Sequence, residues 1–474
     1  MIAAWVFWIA VAFVYFRHLG QGSLEFWDEA LTAERSREML VTGDWLTPYS
    51  NRISNFNKPP VYYWLTAAAF AAFGQSEFTV RLWSVLFALA CLGVVQVLAA
   101  RAGRSPWAGL LAAVFLAANP HWINGTRQGM PDSGLLLGML AGIYGLLHGR
   151  APGRRVVGSA AALAFGCLVK NPLALLAAVV PFVQFRWIEK SGARAREALQ
   201  AAGLAAVLVL GWYVIQFLRW GPIVLDQFLG YNILRRITEP IEGQEAGFFF
   251  YLETWWGGSA VSLFLFALPL AWFLARRREV LKPYLSLAAL SLVLLLLISL
   301  AASKRGNYLL LVYPFAAIVS GGLWHDLLAA VRPASARLAC AAAVVAISVA
   351  YLGARYKPVI DGCPRLKEAA LQIKAAAGQG PVVVSVRVPA DALMFYSGFV
   401  ANTIWANSIG RDLRRFTREK ERNHYIVSRR GETGKVIRVL EKRRRRWSQP
   451  SVWFQNDEYS IVLLPARAPA PTAP

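Results

Sequence analysis

The sequence predicts an α-helical polytopic membrane protein with about eleven transmembrane helices, followed by a small C-terminal α/β domain. Three observations carry this. First, 57% of the 474 residues are hydrophobic and only 16% are charged, where soluble chains are about 45–50% apolar; mean hydropathy is +0.42. Second, the apolar residues come in runs of membrane length separated by short basic loops. Third, past residue 354 the apolar runs shorten to strand length.

The runs fall at 2–18, 82–100, 106–120, 133–148, 156–170, 173–187, 199–218, 249–275, 283–302, 308–325 and 336–353. The first, MIAAWVFWIAVAFVYF, has neither a basic n-region nor a small-residue cleavage site, so it reads as an uncleaved anchor. With the N-terminus placed in the cytoplasm, the inside loops carry Arg101 and Arg104; Arg150, Arg154 and Arg155; Arg186, Lys190, Arg194 and Arg196; Arg276, Arg277, Arg278 and Lys282; and Arg332 and Arg337. The large outer loop, 20–80, carries only Arg35, Arg37, Arg52 and Lys58. That asymmetry is the positive-inside rule. It divides the chain into a membrane domain, 1–353, and an extracytoplasmic domain, 354–474. The net charge of +23 is thereby a matter of topology and anionic lipid, and nucleic acid is not an expected partner.

The four cysteines, Cys91, Cys167, Cys340 and Cys363, have neither metal nor disulfide spacing. The eighteen Trp suit membrane interfaces. In the C-terminal part, PVVVSVRV, HYIVS, KVIRVL and YSIVLLP read as strands, alternating with helices over 365–377 and 411–421. The run Arg443 to Arg446 offers a site for anionic headgroups or a solvated charge cluster. The final ARAPAPTAP reads as a disordered tail.

The chemistry concentrates outside. From Glu25 to Leu40 the residues alternate as an amphipathic helix suited to a membrane surface, with Asp28 and Glu29 adjacent near its start. Lys58 precedes Pro59 and Pro60, which hold its backbone extended, beside Tyr62 and Tyr63. Arg127 and Asp132 lie at the outer ends of two apolar runs, where an ionisable group is costly and is a functional candidate or half of an ion pair. Lys170, Lys304 and Arg305 are cations on the side where the charge rule disfavours them. Carboxylates with several cations suit group transfer from a lipid phosphate: cations neutralise the leaving phosphate, and a carboxylate accepts the proton of an attacking hydroxyl.

The motifs WDEALTAERSREM, GDWLTP, NKPPVYYWL, TRQGMPD, LVKNP and SKRGNYLLLVYP resemble, in order, those of bacterial GT-C membrane glycosyltransferases of the aminoarabinose-transferase and protein-mannosyltransferase group. The resemblance covers about 1–325. It implies an inverting sugar transfer from a polyprenyl-phosphate donor to an envelope acceptor (lipid A, glycolipid, polysaccharide or protein), without a required cofactor. Its motifs match Asp28 and Glu29, Lys58 with Pro59 and Pro60, Asp132 with Arg127 upstream, and Lys170 with Pro172. Together with the reading of the outer cations and aromatics, Asp28, Glu29 and Asp132 are expected in catalysis, Lys58, Arg127, Lys170, Lys304 and Arg305 at the donor phosphate, and Tyr62 and Tyr63 in the substrate lining; no metal ligand set is expected, and a divalent ion is left open. Two positions depart from the pattern. The aminoarabinose-type DE-x-R-Y motif has Leu31 and Thr32 here in place of Arg and Tyr, and Asn171 replaces a Gly after Lys170. A sugar or an acceptor other than those of lipid A aminoarabinose transfer is therefore expected. Competing readings are a polytopic lipid transporter, which internal repeats would favour and none are seen, and an envelope scaffold whose tail binds partners.

Overall fold

The structure is a computed structural model that describes residues 2–241, 245–276, 281–376, 380–404, 409–417, 422–442 and 449–466. The Arg443 to Arg446 run and the tail from 467 lie outside the described residues. Two compact units are present. Unit 1 comprises 1–19, 56–65 and 81–358; unit 2 comprises 20–55, 66–80 and 359–474.

Helices occupy every one of the apolar runs. The first eight helices are α1 (Ile2–Phe16), α2 (Asp28–Thr42), α3 (Val61–Phe73), α4 (Glu77–Ala102), α5 (Pro106–Ala117), α6 (Pro120–Thr126), α7 (Asp132–His148) and α8 (Pro152–Val169). Among the described residues, four helices are long and apolar enough to cross a membrane: Glu77–Ala102, Gly192–Trp220, Phe250–Ala275 and Ala334–Arg355. Shorter apolar helices include Val61–Phe73, Pro106–Ala117, Asp132–His148 and Leu285–Leu300. Helix α3 was hidden in the sequence because its thirteen residues reach only about 20 Å, which is short of a bilayer core.

The part of unit 1 that positions chemistry is the α7–α8 hairpin. A Cβ at Gly138 would stand 2.6 Å from the Gly166 Cα and 2.6 Å from the Ala162 carbonyl oxygen. Small residues let the two backbones touch, which is how helices associate where no hydrophobic gradient separates them from lipid. Because the helices run antiparallel, the start of α7 meets the end of α8. Gly138→Val is expected to cost about 1–3 kcal/mol through overpacking, read as a lower Tm in detergent, whereas Gly153→Ala, at a position open to space, should leave the Tm near wild type.

Unit 2 contains a five-stranded sheet. Its strands belong to the series β1 (Gly22–Ser23), β2 (Tyr49–Ser50), β3 (Ile53–Ser54), β4 (Ile360–Asp361), β5 (Val382–Val386), β6 (Ala401–Ile404), β7 (His424–Arg429), β8 (Ser451–Gln455) and β9 (Tyr459–Leu464). The sheet order is β6-β5-β7-β9-β8. Strand β5 pairs in parallel with β6 and β7, while β9 runs antiparallel to β7 and β8. A separate parallel pair joins Gly22 to Ile360 and Ser23 to Asp361. One sequence expectation is corrected here: KVIRVL is not a strand but part of the helix Thr433–Glu441. Its buried residues Val436 and Leu440 are four apart, so they share a helix face.

The expected surface helix is also corrected. Ten of the fifteen residues of α2 are buried, among them Glu29, Glu34, Arg35, Arg37 and Glu38. Ala30 and Ala33 join the same core as Leu366, Leu393 and Ile461. A helix buried on its charged side does not lie along a membrane. Part of its charge is satisfied locally: Arg37 donates to both Glu34 carboxylate oxygens at 2.6 and 2.7 Å, and Glu38 accepts from the Arg52 backbone N–H.

Candidate active site

In unit 2 the acidic pair opens α2. Trp27 precedes it with φ +70°, a left-handed conformation that a bulky residue adopts only when held there. Asp28 is the first helical residue and is half-buried. Glu29 is fully buried and accepts a 2.7 Å hydrogen bond from the Glu25 backbone N–H. The two carboxylates at a helix N-terminus meet the positive end of its dipole. The strand before them is anchored in the same unit. Cys363 Sγ donates to the Leu24 carbonyl oxygen, Tyr396 Oη accepts from the Leu24 N–H at 2.8 Å, and Lys367 Nζ donates to the Gly22 carbonyl oxygen at 2.7 Å.

Farther along α2, burial pushes the Glu34 carboxyl up to about 7 even though Arg37 pulls it down. Burial also raises Glu38. The folded-state value for Glu34 lies above its ordinary 4.5, so its contribution to stability is complete below that value and is lost as pH rises through about 7. Glu34→Gln keeps an acceptor for Arg37 and removes the titration. Its Tm should decline less than that of wild type between about pH 5 and pH 8.

In unit 1 the α7–α8 hairpin brings together two residues singled out from the sequence. Lys170 Nζ donates to Asp132 Oδ1 at 2.5 Å, and both side chains are nearly buried. Asp132 sits in the first turn of α7 and Lys170 caps the end of α8, so each charge also faces the favourable pole of its helix. Asn171, the unexpected residue of LVKNP, caps the next helical segment by accepting from the Leu173 N–H. Serines tie the turn before Asp132 in place: Tyr62 Oη meets Ser84 Oγ, which donates to the Met130 carbonyl oxygen, and Ser133 Oγ donates to the Ser84 carbonyl oxygen.

The two tyrosines expected at the substrate, Tyr62 and Tyr63, are 1% and 2% exposed; Tyr62 packs with Trp83, Phe87 and Phe165 and its hydroxyl joins the network that supports the Asp132 turn. Among the described residues, Arg127 pairs with no carboxylate. Its guanidinium donates to the carbonyl oxygens of Tyr15, Arg17, Lys357 and Pro358 and lies 5.0 Å from the Tyr356 ring. With four donors on the backbone carbonyls just past two helices, it clamps chain segments together. Lys304 caps its own helix, donating to the carbonyl oxygens of Ser299 and Ala301. The Arg305 N–H donates to Tyr251 Oη.

Two residues not singled out from the sequence complete the cluster. Lys170 Nζ lies 5.4 Å from the centre of the Tyr308 ring, and Arg236 Nη1 donates to Tyr308 Oη at 3.3 Å. Tyr308 and Arg236 are half-buried, so the cluster offers cationic and hydroxyl donors to an anion. The segment carrying Arg236 also holds the two flanking loops. Ser303 N–H and Ala302 N–H donate to the carbonyl oxygens of Arg236 and Ile237. Asn232 donates to both oxygens of Asn57, and Gln227 Oε1 accepts from the Phe56 N–H. Those last bonds fix the loop of half-buried Lys58. The signal for Arg236 was present in the sequence: under the expected topology the doublet Arg235–Arg236 is placed where the charge rule disfavours cations, as Lys170 is. Among the described residues, no three His, Cys, Asp or Glu side chains converge as ligands.

The family model described as dolichyl-phosphate-mannose-protein mannosyltransferase matches residues 5–281. The chain belongs to that family. Among its relatives is the undecaprenyl phosphate-alpha-4-amino-4-deoxy-L-arabinose arabinosyl transferase 1 of Pseudomonas fluorescens, 27% identical over 325 residues, covering 64% of this chain and 54% of that protein. An uncharacterized protein of Aquifex aeolicus is 28% identical over 302 residues, covering 63% of this chain and 68% of the relative. The chain thus spans about half to two thirds of the length of these mannosyltransferase-family relatives. A crystal structure of ArnT from Cupriavidus metallidurans bound to undecaprenyl phosphate superposes with a TM-score of 0.77 at 19% identity, over 98% of both chains. Family and fold agree with the motif resemblance: the chain is a multi-pass membrane protein of the mannosyltransferase family with the fold of the ArnT structure.

Proposed function

We propose that the chain transfers a sugar from a polyprenyl-phosphate donor to a cell-envelope acceptor, with inversion at the anomeric carbon. The observation that carries this is the Lys170–Tyr308–Arg236 cluster in a family whose relatives bear undecaprenyl phosphate in their names. The donor phosphate is bound by Lys170, Arg236 and the Tyr308 hydroxyl, with Lys58, Lys304 and Arg305 as further cations. The acceptor oxygen bonds to the anomeric carbon as the bond to the phosphate oxygen breaks. The electron pair leaves with the phosphate, and the acceptor proton passes to Asp28. Glu29 holds the turn that presents Asp28, and Asp132 orients Lys170.

Topologically, the reading has eleven transmembrane helices in the bacterial inner membrane and a cytoplasmic N-terminus. The 20–80 loop and the domain 354–474 are then extracytoplasmic. Leu31 stands where the aminoarabinose-type motif carries Arg, so the sugar differs from aminoarabinose. The acceptor is lipid A or another envelope glycolipid, with polysaccharide and protein as the remaining classes.

The test is a transfer assay on the purified chain with a panel of undecaprenyl-phosphate sugars and an envelope lipid extract. Label should move from one donor into one extract component. Movement of the donor between leaflets without sugar transfer, or transfer from a nucleotide sugar alone, would overturn the reading. Within this assay Arg236→Gln should raise the donor KM by roughly tenfold to a hundredfold, the value of a hydrogen bond to a charged group, with a smaller change in kcat.

A further inference from the structure

Unit 1 holds a cavity of about 300 Å³ that the transfer reaction does not use. It is lined by Arg101 in the last turn of α4 and Arg104 just past its end, by Lys282 ahead of the helix Leu285–Leu300, and by His148, the last residue of α7. Asp132 is the first residue of α7, so the cavity stands about 24 Å along that helix from the Asp132–Lys170 pair. These are separate places on one rigid element.

The lining is amphipathic. Among the described lining residues, Arg101, Arg104 and Lys282 stand with one carboxylate, Glu189, and with the apolar Leu98 and Ile188. Glu189 is itself engaged by Arg194 at 3.7 Å and by Gln184 at 3.2 Å, so the described lining carries net positive charge. Arg101 is steadied over the Tyr144 ring at 5.5 Å. Large apolar side chains are exposed on the flanking elements, Trp187 at 62% and Leu285 at 49%. A polar anion site among lipid-facing residues fits a ligand with a charged head and apolar chains. Its volume reaches the lower bound of small-molecule pockets, and basic pockets between membrane helices hold anionic headgroups.

We propose that this cavity binds the phosphate headgroup of an anionic phospholipid in the leaflet opposite the transfer site. The ligand chemistry is a phosphate mono- or diester; its source is the membrane. The lipid contributes charge neutralisation where the α4, α7 and Leu285–Leu300 helices meet, and takes no part in catalysis.

The full chain in a non-ionic detergent is titrated with dihexanoyl phosphatidylglycerol and bound lipid is counted by native mass spectrometry, with dihexanoyl phosphatidylcholine and sodium phosphate as comparison probes. Saturable phosphatidylglycerol binding is expected, at least about tenfold tighter than phosphatidylcholine, and weakened at least about tenfold when Arg101, Arg104 and Lys282 are all changed to Gln. Leu98→Trp, which fills the cavity and keeps its charges, should weaken it comparably. Arg236→Gln should leave it unchanged, which separates this lipid from the donor. Binding that survives both the triple variant and Leu98→Trp would overturn the proposal, as would loss on Arg236→Gln alone. Sodium phosphate that saturates the site as tightly as the lipid would make the ligand a free anion and overturn the lipid assignment.

Discussion

Asp28→Asn is expected to lower kcat for sugar transfer by about 10²–10⁴-fold, the usual contribution of a positioned general base, while donor binding and Tm stay near wild type. The side chain is half-buried at the first position of α2, so an isosteric amide fits the same space and still faces the helix dipole. What it cannot do is accept the acceptor's proton. Glu29→Gln is the informative control. Glu29 is fully buried and accepts from the Glu25 N–H, a bond the Gln carbonyl preserves. A positioning role predicts a much smaller loss there than at Asp28. Equal losses at both positions would mean that the two carboxylates act as one unit, and full transfer by Asp28→Asn would remove it as the base.

The membrane helices were legible because hydrophobicity and loop charge are additive along the chain, and neither depends on which residues meet. The same holds for the strands around Val382–Val386 and Tyr459–Leu464. What the sequence concealed is contact. Asp132 and Lys170 were each visible as misplaced charges, but their pairing depends on Gly138 meeting Gly166, which periodicity does not reveal. Arg127 satisfied the same rule for buried charge, and among the described residues its hydrogen-bond partners are carbonyls at the ends of two helices, a set the spacing does not reveal. Tyr62 and Tyr63 looked like a lining because aromatic residues flank Lys58, and they proved to be core. Helix α2 alternates like a surface helix, and only the partner residues at Leu366 and Leu393, more than 300 positions away, show that its charged side is covered. Arg236 fell outside every motif, although the topology rule that exposed Lys170 applies to it equally.

Lys170→Met is expected to destabilise the chain by about 3–5 kcal/mol, because it strands the Asp132 carboxylate in a buried place, and to abolish measurable transfer. The stability loss alone does not assign a function, since any half-broken buried pair behaves so. The second substitution separates the causes. In Lys170→Met with Asp132→Asn no buried charge is left uncompensated, so most of the lost Tm should return. If Lys170 also meets the donor phosphate, as its place above the Tyr308 ring beside Arg236 argues, transfer should stay absent in the refolded double variant and donor affinity should stay low. Transfer recovered together with Tm would make the pair a brace of the α7–α8 hairpin only, and would leave Arg236 and Lys58 as the cations that meet the leaving group.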